Sequence, residues 1–278
     1  GFNMLRKHAK IEPERFYYHC DQLGMLVWQD MVNGGSAYKH WFVTYLATLM
    51  NWNHISFSDD EKHAGLLSRL HPEGKDEFRR EITETIAFLY NHPSIVVWVP
   101  FNEGWGQFDA LAACEQIRTL DSSRLVDHAS GWFDQKGGDI LSLHYYFLKL
   151  KFKPESKRAA ALTEFGGYSL SIPGHSCCKK VYGYKKFNST GTLTYGYIDL
   201  IRQTILPAVK KGIGATVYTQ LSDIEEETNG IYTYDREICK IDPDTLRKWN
   251  RALKEAGECK TYACLLYTSP SPRDRSLS

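Results

Sequence analysis

Ile95-Val96-Val97-Trp98-Val99 is an unbroken apolar run, the pattern of a strand buried on both faces of a parallel sheet. An amphipathic stretch over 75–90 precedes it, with Phe78, Ile82, Ile86 and Leu89 on one stripe, and Asn91-His92-Pro93 stops that helix. The same unit recurs along the chain. Strands are predicted at Phe2–Leu5, Met25–Trp28, Arg124–Asp127, Ile140–His144, Ala159–Thr163 and Ala215–Tyr218, with another around Ile55-Ser56-Phe57. Helices are predicted over 13–23, 108–120, 196–211 and 243–256, and Trp41, Tyr45, Leu46 and Leu49 recur at helical spacing. A Gly-, Ser- and Lys-rich stretch over 172–192 is long enough to be a loop bordering a site.

Repeated β-then-α units with buried strands imply a parallel α/β sheet, either open and doubly wound or closed as a (β/α)8 TIM barrel. No Gly-rich phosphate loop follows a strand, which weakens the open nucleotide-binding sheet. Polar clusters follow the strands instead: Arg6-Lys7-His8, Gln29-Asp30, Asn102-Glu103, Asp127-His128, His144-Tyr145-Tyr146, Glu164 and Gln220. Barrel chemistry sits at the C-terminal ends of strands, so the barrel is the expected fold. The net charge of +1 argues against a nucleic-acid partner or a polybasic membrane surface. No apolar run approaches the ~20 residues of a membrane span, and the seven cysteines show no metal-binding spacing.

Two carboxylates stand out. Glu103 follows Asn102 after one strand, and Glu164 ends another and precedes Phe165-Gly166-Gly167. Coming from different strands, they are expected to face each other across the mouth. Glycoside hydrolysis needs such a pair, with about 5–5.5 Å between them for retention and about 6.5–9.5 Å for inversion. The alternative for either one alone is a solvated or helix-capping carboxylate.

The segment Asn91–Glu103 (NHPSIVVWVPFNE) resembles the acid/base signature of glycoside hydrolase family 2, and Leu162–Gly167 (LTEFGG) resembles that family's nucleophile segment. Gly1–His8, Leu23–Asp30 and Asn229–Arg236 resemble its second strand, its third strand and a stretch of its β-galactosidase-like branch. The resemblance implies Glu103 as general acid/base, Glu164 as nucleophile and Asn102 as a hydrogen-bond partner of the sugar 2-hydroxyl. His144 or Tyr146 would hold Glu164; His144 also fits as a core histidine. His8 and Asp30 would either bind sugar hydroxyls or tie strand ends together. Trp105 and Trp132 would be stacking platforms or loop packing. The chain differs from the family in having Lys7 before His8 and Tyr218-Thr219-Gln220 where a tryptophan is usual.

The resemblance also implies a barrel lacking its first strand and helix, over residues 1–258, with β-sandwich domains of the same parent chain missing. Residues 259–278 are expected to form a disordered, non-native tail. Two unpaired sheet edges would leave the chain poorly stable or inactive alone. The expected substrate is carbohydrate, with no cofactor or metal. An endo-acting retaining barrel of the cellulase or mannanase type, and a catalytically dead carbohydrate-binding barrel, remain open alternatives.

Overall fold

A computed structural model describes residues 1–39, 41–52, 55, 57–146 and 150–265. The chain begins with strand β1 (Met4–Lys7), helix α1 (Glu14–Leu23) and strand β2 (Leu26–Asp30). Pro13 precedes the first turn of α1, where a missing N–H costs nothing, and Gly24 ends the helix with φ +65°. A π-helical turn (Trp41–Leu46) runs into α2 (Ala47–Trp52), followed by α3 (Pro72–Leu89) and β3 (Ile95–Val99). Phe78, Ile82, Ile86 and Leu89 form the buried face of α3. Then come α4 (Ala110–Leu120), β4 (Leu125–Val126), β5 (Ile140–Tyr145) and β6 (Ala159–Gly166). Short strands β7 (Tyr168–Ser169) and β8 (Lys185–Lys186) lie in the loop beyond β6. Helix α5 (Thr190–Leu200), a second π-turn (Ile201–Ile205), α6 (Leu206–Lys211), β9 (Ile213–Thr219) and α7 (Pro243–Leu265) complete the order.

The long strands pair in parallel as a four-stranded sheet β1-β2-β3-β4 and a three-stranded sheet β5-β6-β9, so seven barrel strands lie among the described residues. β1 lies against β9 without ladder hydrogen bonds between them. At the other seam Asp139 closes on Val126, its N–H donating to the Val126 carbonyl at 2.8 Å. The fold is therefore an incomplete (β/α)8 TIM barrel, ordered as the alternation of strands and helices requires.

Three apolar clusters define its layers. Trp28, Val97, Val99, Ile140 and Ala161, with Met4 and Ala215, fill the barrel interior from six strands. Outside the sheet, Tyr17, Val27, Ile82, Ile86, Trp98 and Ile117 join β2 and β3 to α1, α3 and α4. Leu162, Phe165, Tyr197, Ile201, Ile213 and Leu246 do the same for β6 and β9 against α5, the π-turn and α7. Alternate residues thus face in and out, the period of a strand. Trp98 is fully buried, and its indole N–H donates to Asp121 Oδ2 at 2.8 Å, so the polar tip of this core residue is satisfied.

Three details differ from the sequence expectations. Ile55 and Phe57 are outside any strand, while Ser56 lies outside the described residues. The helix expected over 196–211 begins at Thr190, where the Ser189 side chain and Thr192 form a reciprocal capping box. The boundary drawn at residue 258 falls inside α7, which continues to Leu265, and residues 266–278 lie outside the described residues.

Candidate active site

Glu164 reaches the mouth through a break in strand alternation. Leu162 and Phe165 both pack in the outer core. Between them Thr163 points inward, its hydroxyl bonded to Ser130 and Ser142, and Glu164 also faces the interior. Regular alternation allows only one inward residue there. The register supplies the second: Leu143 pairs with Leu162, but the next residue, His144, pairs with Glu164. This bulge redirects the Glu164 carboxylate into the barrel.

Glu103 arrives differently. It lies just beyond β3, with its N–H donating to the Ser130 carbonyl at 2.9 Å and φ at +50°. A non-glycine residue in that left-handed region is strained, and such strain gathers at functional sites. One carboxylate oxygen of Glu103 and one of Glu164 lie within 4.8 Å of each other.

His144 stands between them. Its Nδ1 is 2.8 Å from Glu103 Oε1 and 3.4 Å from Glu164 Oε2, and its Nε2 is 3.2 Å from the Ser130 hydroxyl. Gly131, with φ +84°, lets the chain pass this ring; a Cβ there would lie 2.6 Å from the imidazole. Tyr146 donates its hydroxyl to Glu164 Oε2 and lies 3.2 Å from Thr219 Oγ1. Its ring stacks on Tyr184 at 4.0 Å, and Gly167 (φ +62°) permits this pair, since a Cβ would press on both rings.

Arg6, projecting inward from β1, organises the rest. Its Nε and Nη2 grip Asp30 at 3.0 and 2.8 Å. Nη1 donates to Glu164 Oε1 at 3.1 Å and to the Thr163 carbonyl at 3.2 Å, while Nη2 donates to Asn102 Oδ1 at 2.8 Å. A guanidinium has no acceptor, so the Asn102 oxygen must face Arg6 and its NH2 group is left to donate toward the mouth. Burial opposes ionisation of Glu164, but the charges of His144 and Arg6, with the Tyr146 hydrogen bond, outweigh it and hold the carboxyl below its ordinary range. Burial likewise opposes ionisation of Asp30, and Arg6 and His8 reverse it.

His8 is bound through Nδ1 to Asp30 Oδ2 at 2.9 Å. Burial works against its imidazolium, but the bond and charge of Asp30 prevail and its pKa is raised. The pair does tie the ends of β1 and β2 together, while half of the His8 side chain stays exposed. Trp105 is 38% exposed beside Tyr38, at 5.5 Å between ring centroids. Trp132 departs from the stacking expectation. It is buried at 8% exposure in a cluster with Phe42, Leu67 and Phe133, which commits its ring to loop packing.

Arg6 and Glu227 join the site without having been singled out as candidates. Arg6 shares its strand face with the interior residue Met4, two positions earlier, which is the signal that could have found it. Glu227 accepts from Gln220 Nε2 at 3.1 Å just beyond β9, and no local pattern announces it. The proximity of Glu103, His144 and Glu164 would also suit a metal ion, as would His175, Asp235 and Glu237 at the surface. In the first group, a metal would occupy both carboxylates.

The model of the glycosyl hydrolases family 2 TIM barrel domain matches residues 1–206, and the chain belongs to this family. Within it, the chain is 25% identical to a β-galactosidase of Leuconostoc mesenteroides over 94% of this chain and 24% of that protein. It is 32% identical to β-mannosidase B of Thermothelomyces thermophilus over 34% of this chain and 8% of that protein. The β-D-glucuronidase structure of Dictyoglomus thermophilum superposes with TM-score 0.60 at 14% identity, covering 89% of this chain and 44% of that one. The chain thus spans less than half the length of each of these relatives.

Proposed function

We propose that this chain carries the catalytic centre of a retaining β-glycosidase that removes terminal sugars in the manner of a β-galactosidase. The supporting observation is the approach of Glu103 and Glu164 within 4.8 Å, each with a different set of partners. Nearest oxygens within 4.8 Å favour the closer spacing of direct attack by one carboxylate over the wider spacing that admits a water for inversion. In the first step Glu164 attacks the anomeric carbon, and Glu103 delivers a proton to the departing glycosidic oxygen. In the second, Glu103 takes a proton from water, whose oxygen displaces Glu164 and releases the sugar.

The environment of Glu164 fits its assignment. Glu164 is surrounded by donors and positive charge, which favour the carboxylate. The Asn102 NH2 group is oriented to meet the sugar 2-hydroxyl, a bond that strengthens as positive charge grows at the anomeric carbon. The galactosidase-like reading draws on the match spanning 94% of the chain.

The experiment is a panel of aryl β-glycosides offered to the full-length protein that carries this chain and to its Glu103→Gln and Glu164→Gln variants. Hydrolysis of a neutral β-glycoside is expected, lost by at least ~10³-fold in Glu164→Gln. Unimpaired turnover in that variant would remove the proposal, and saturable sugar binding without turnover in the parent protein would indicate a binding barrel.

A further inference from the structure

The basic side chains at this mouth are already committed to the chain's own acids. Arg6 is spent on Asp30, Glu164, Asn102 and the Thr163 carbonyl. His8 is held by Asp30, and His144 by Glu103. A fourth carboxylate, Glu227, joins Glu103, Glu164 and Asp30. It sits on Gln220, which follows Thr219, the residue whose hydroxyl meets Tyr146. Burial and the neighbouring Glu164 charge push the Glu227 carboxyl above the usual range, while the bonds of Asn229 and Gln220 and the charge of His8 draw it back down.

Glu227 is also firmly placed. Its N–H donates to the Ile224 carbonyl at 2.9 Å, and its own carbonyl accepts from the Ile224 N–H at 3.1 Å. Gln220 Nε2 bridges it to Asn229 Oδ1 at 2.7 Å. Beneath this turn the fully buried Lys240 uses its three donors on Asp223, the Leu170 carbonyl and the Thr228 carbonyl. A carboxylate on so braced a turn cannot move aside cheaply when an anion enters.

We propose that Glu227 is a specificity-determining residue that makes the sugar site select uncharged hexosides and reject uronides. A carboxylate accepts hydrogen bonds from sugar hydroxyls, but it repels a sugar carboxylate, and here no uncommitted cation is among the described residues that contact this group of side chains. The inference rests on the sugar site described above and deepens it by naming the substrate class. It also separates this chain from its glucuronidase fold neighbour, a likeness of architecture at 14% identity.

The test is calorimetric binding at neutral pH of methyl β-galactoside, β-glucoside and β-mannoside, each against its matching uronide. At least one neutral sugar is expected to bind about tenfold or more tightly than its uronide. Glu227→Gln should shrink that ratio to about threefold or less, and Glu227→Asp, which keeps the charge, should retain most of it. Equal affinity for the neutral sugar and its uronide, or a ratio unchanged in folded Glu227→Gln, overturns the inference. Selective binding of a neutral sugar that is never hydrolysed sustains it and removes the hydrolase proposal. Binding of no sugar overturns both.

Discussion

Arg6 donates to Glu164 Oε1 at 3.1 Å across the barrel, from the C-terminal end of β1 to that of β6. The two residues are 158 positions apart, so this bond reports that the strands have assembled correctly. The same guanidinium orients Asn102 and neutralises Asp30.

Arg6→Met should therefore damage stability first. It removes the cation that buried Asp30, with a side chain 3% exposed, shares with His8 and that Glu164 shares with His144, a loss on the order of 3 kcal/mol by urea unfolding. Arg6→Lys keeps a charge but not the fork that serves four partners. It should fold better and still lose about a hundredfold in kcat on an aryl β-glycoside. Equal turnover by wild type and Arg6→Lys would exclude the orienting role.

Tyr146→Phe removes the hydroxyl that donates to Glu164 Oε2. That bond helps keep the Glu164 pKa low, alongside the charges of His144 and Arg6. Without it the carboxyl takes up a proton more readily, so the acid limb of the kcat/KM profile should move to higher pH, with kcat down about 10- to 100-fold. A profile with an unmoved acid limb would show that the bond does not tune the nucleophile.

Asp127 is fully buried, with Ser142 and the charge of Arg6 as its nearby stabilising groups. Burial pushes its pKa up to about 6, although the charge of Arg6 opposes the rise. The folded protein thus holds this proton more tightly than the unfolded chain, whose aspartates titrate near 3.9. The associated stability is fully present below about pH 4 and fades as pH rises to about 6, by roughly 2–3 kcal/mol in all. Asp127→Asn should flatten urea-unfolding stability over that interval, whereas a pH slope the same as wild type would assign it to other groups.

The barrel was legible because buried strands and amphipathic helices carry different periods. Glu103 and Glu164 were legible because a polar residue at the end of an apolar strand is conspicuous. What makes the site was less accessible. An arginine near the end of a short strand reads as solvated, and only the assembled interior reveals that Arg6 has four partners there. The bulge at Thr163 depends on pairing with β5, which no single strand encodes. Trp132 follows a glycine in a loop, a setting equally suited to a platform or to packing. Its burial with Phe42 was decided by a segment about 90 residues away. Glu227 lies in an aperiodic turn and gains its meaning from Gln220 and Lys240.

Glu103 and Glu164, with oxygens less than 5 Å apart, are proposed to act on opposite sides of one anomeric carbon. Proton NMR during the first minutes of aryl β-galactoside hydrolysis, before mutarotation mixes the anomers, tests this most directly. Two displacements should release the β-sugar first. First release of the α-sugar would require a single attack by water and would exclude Glu164 as the nucleophile.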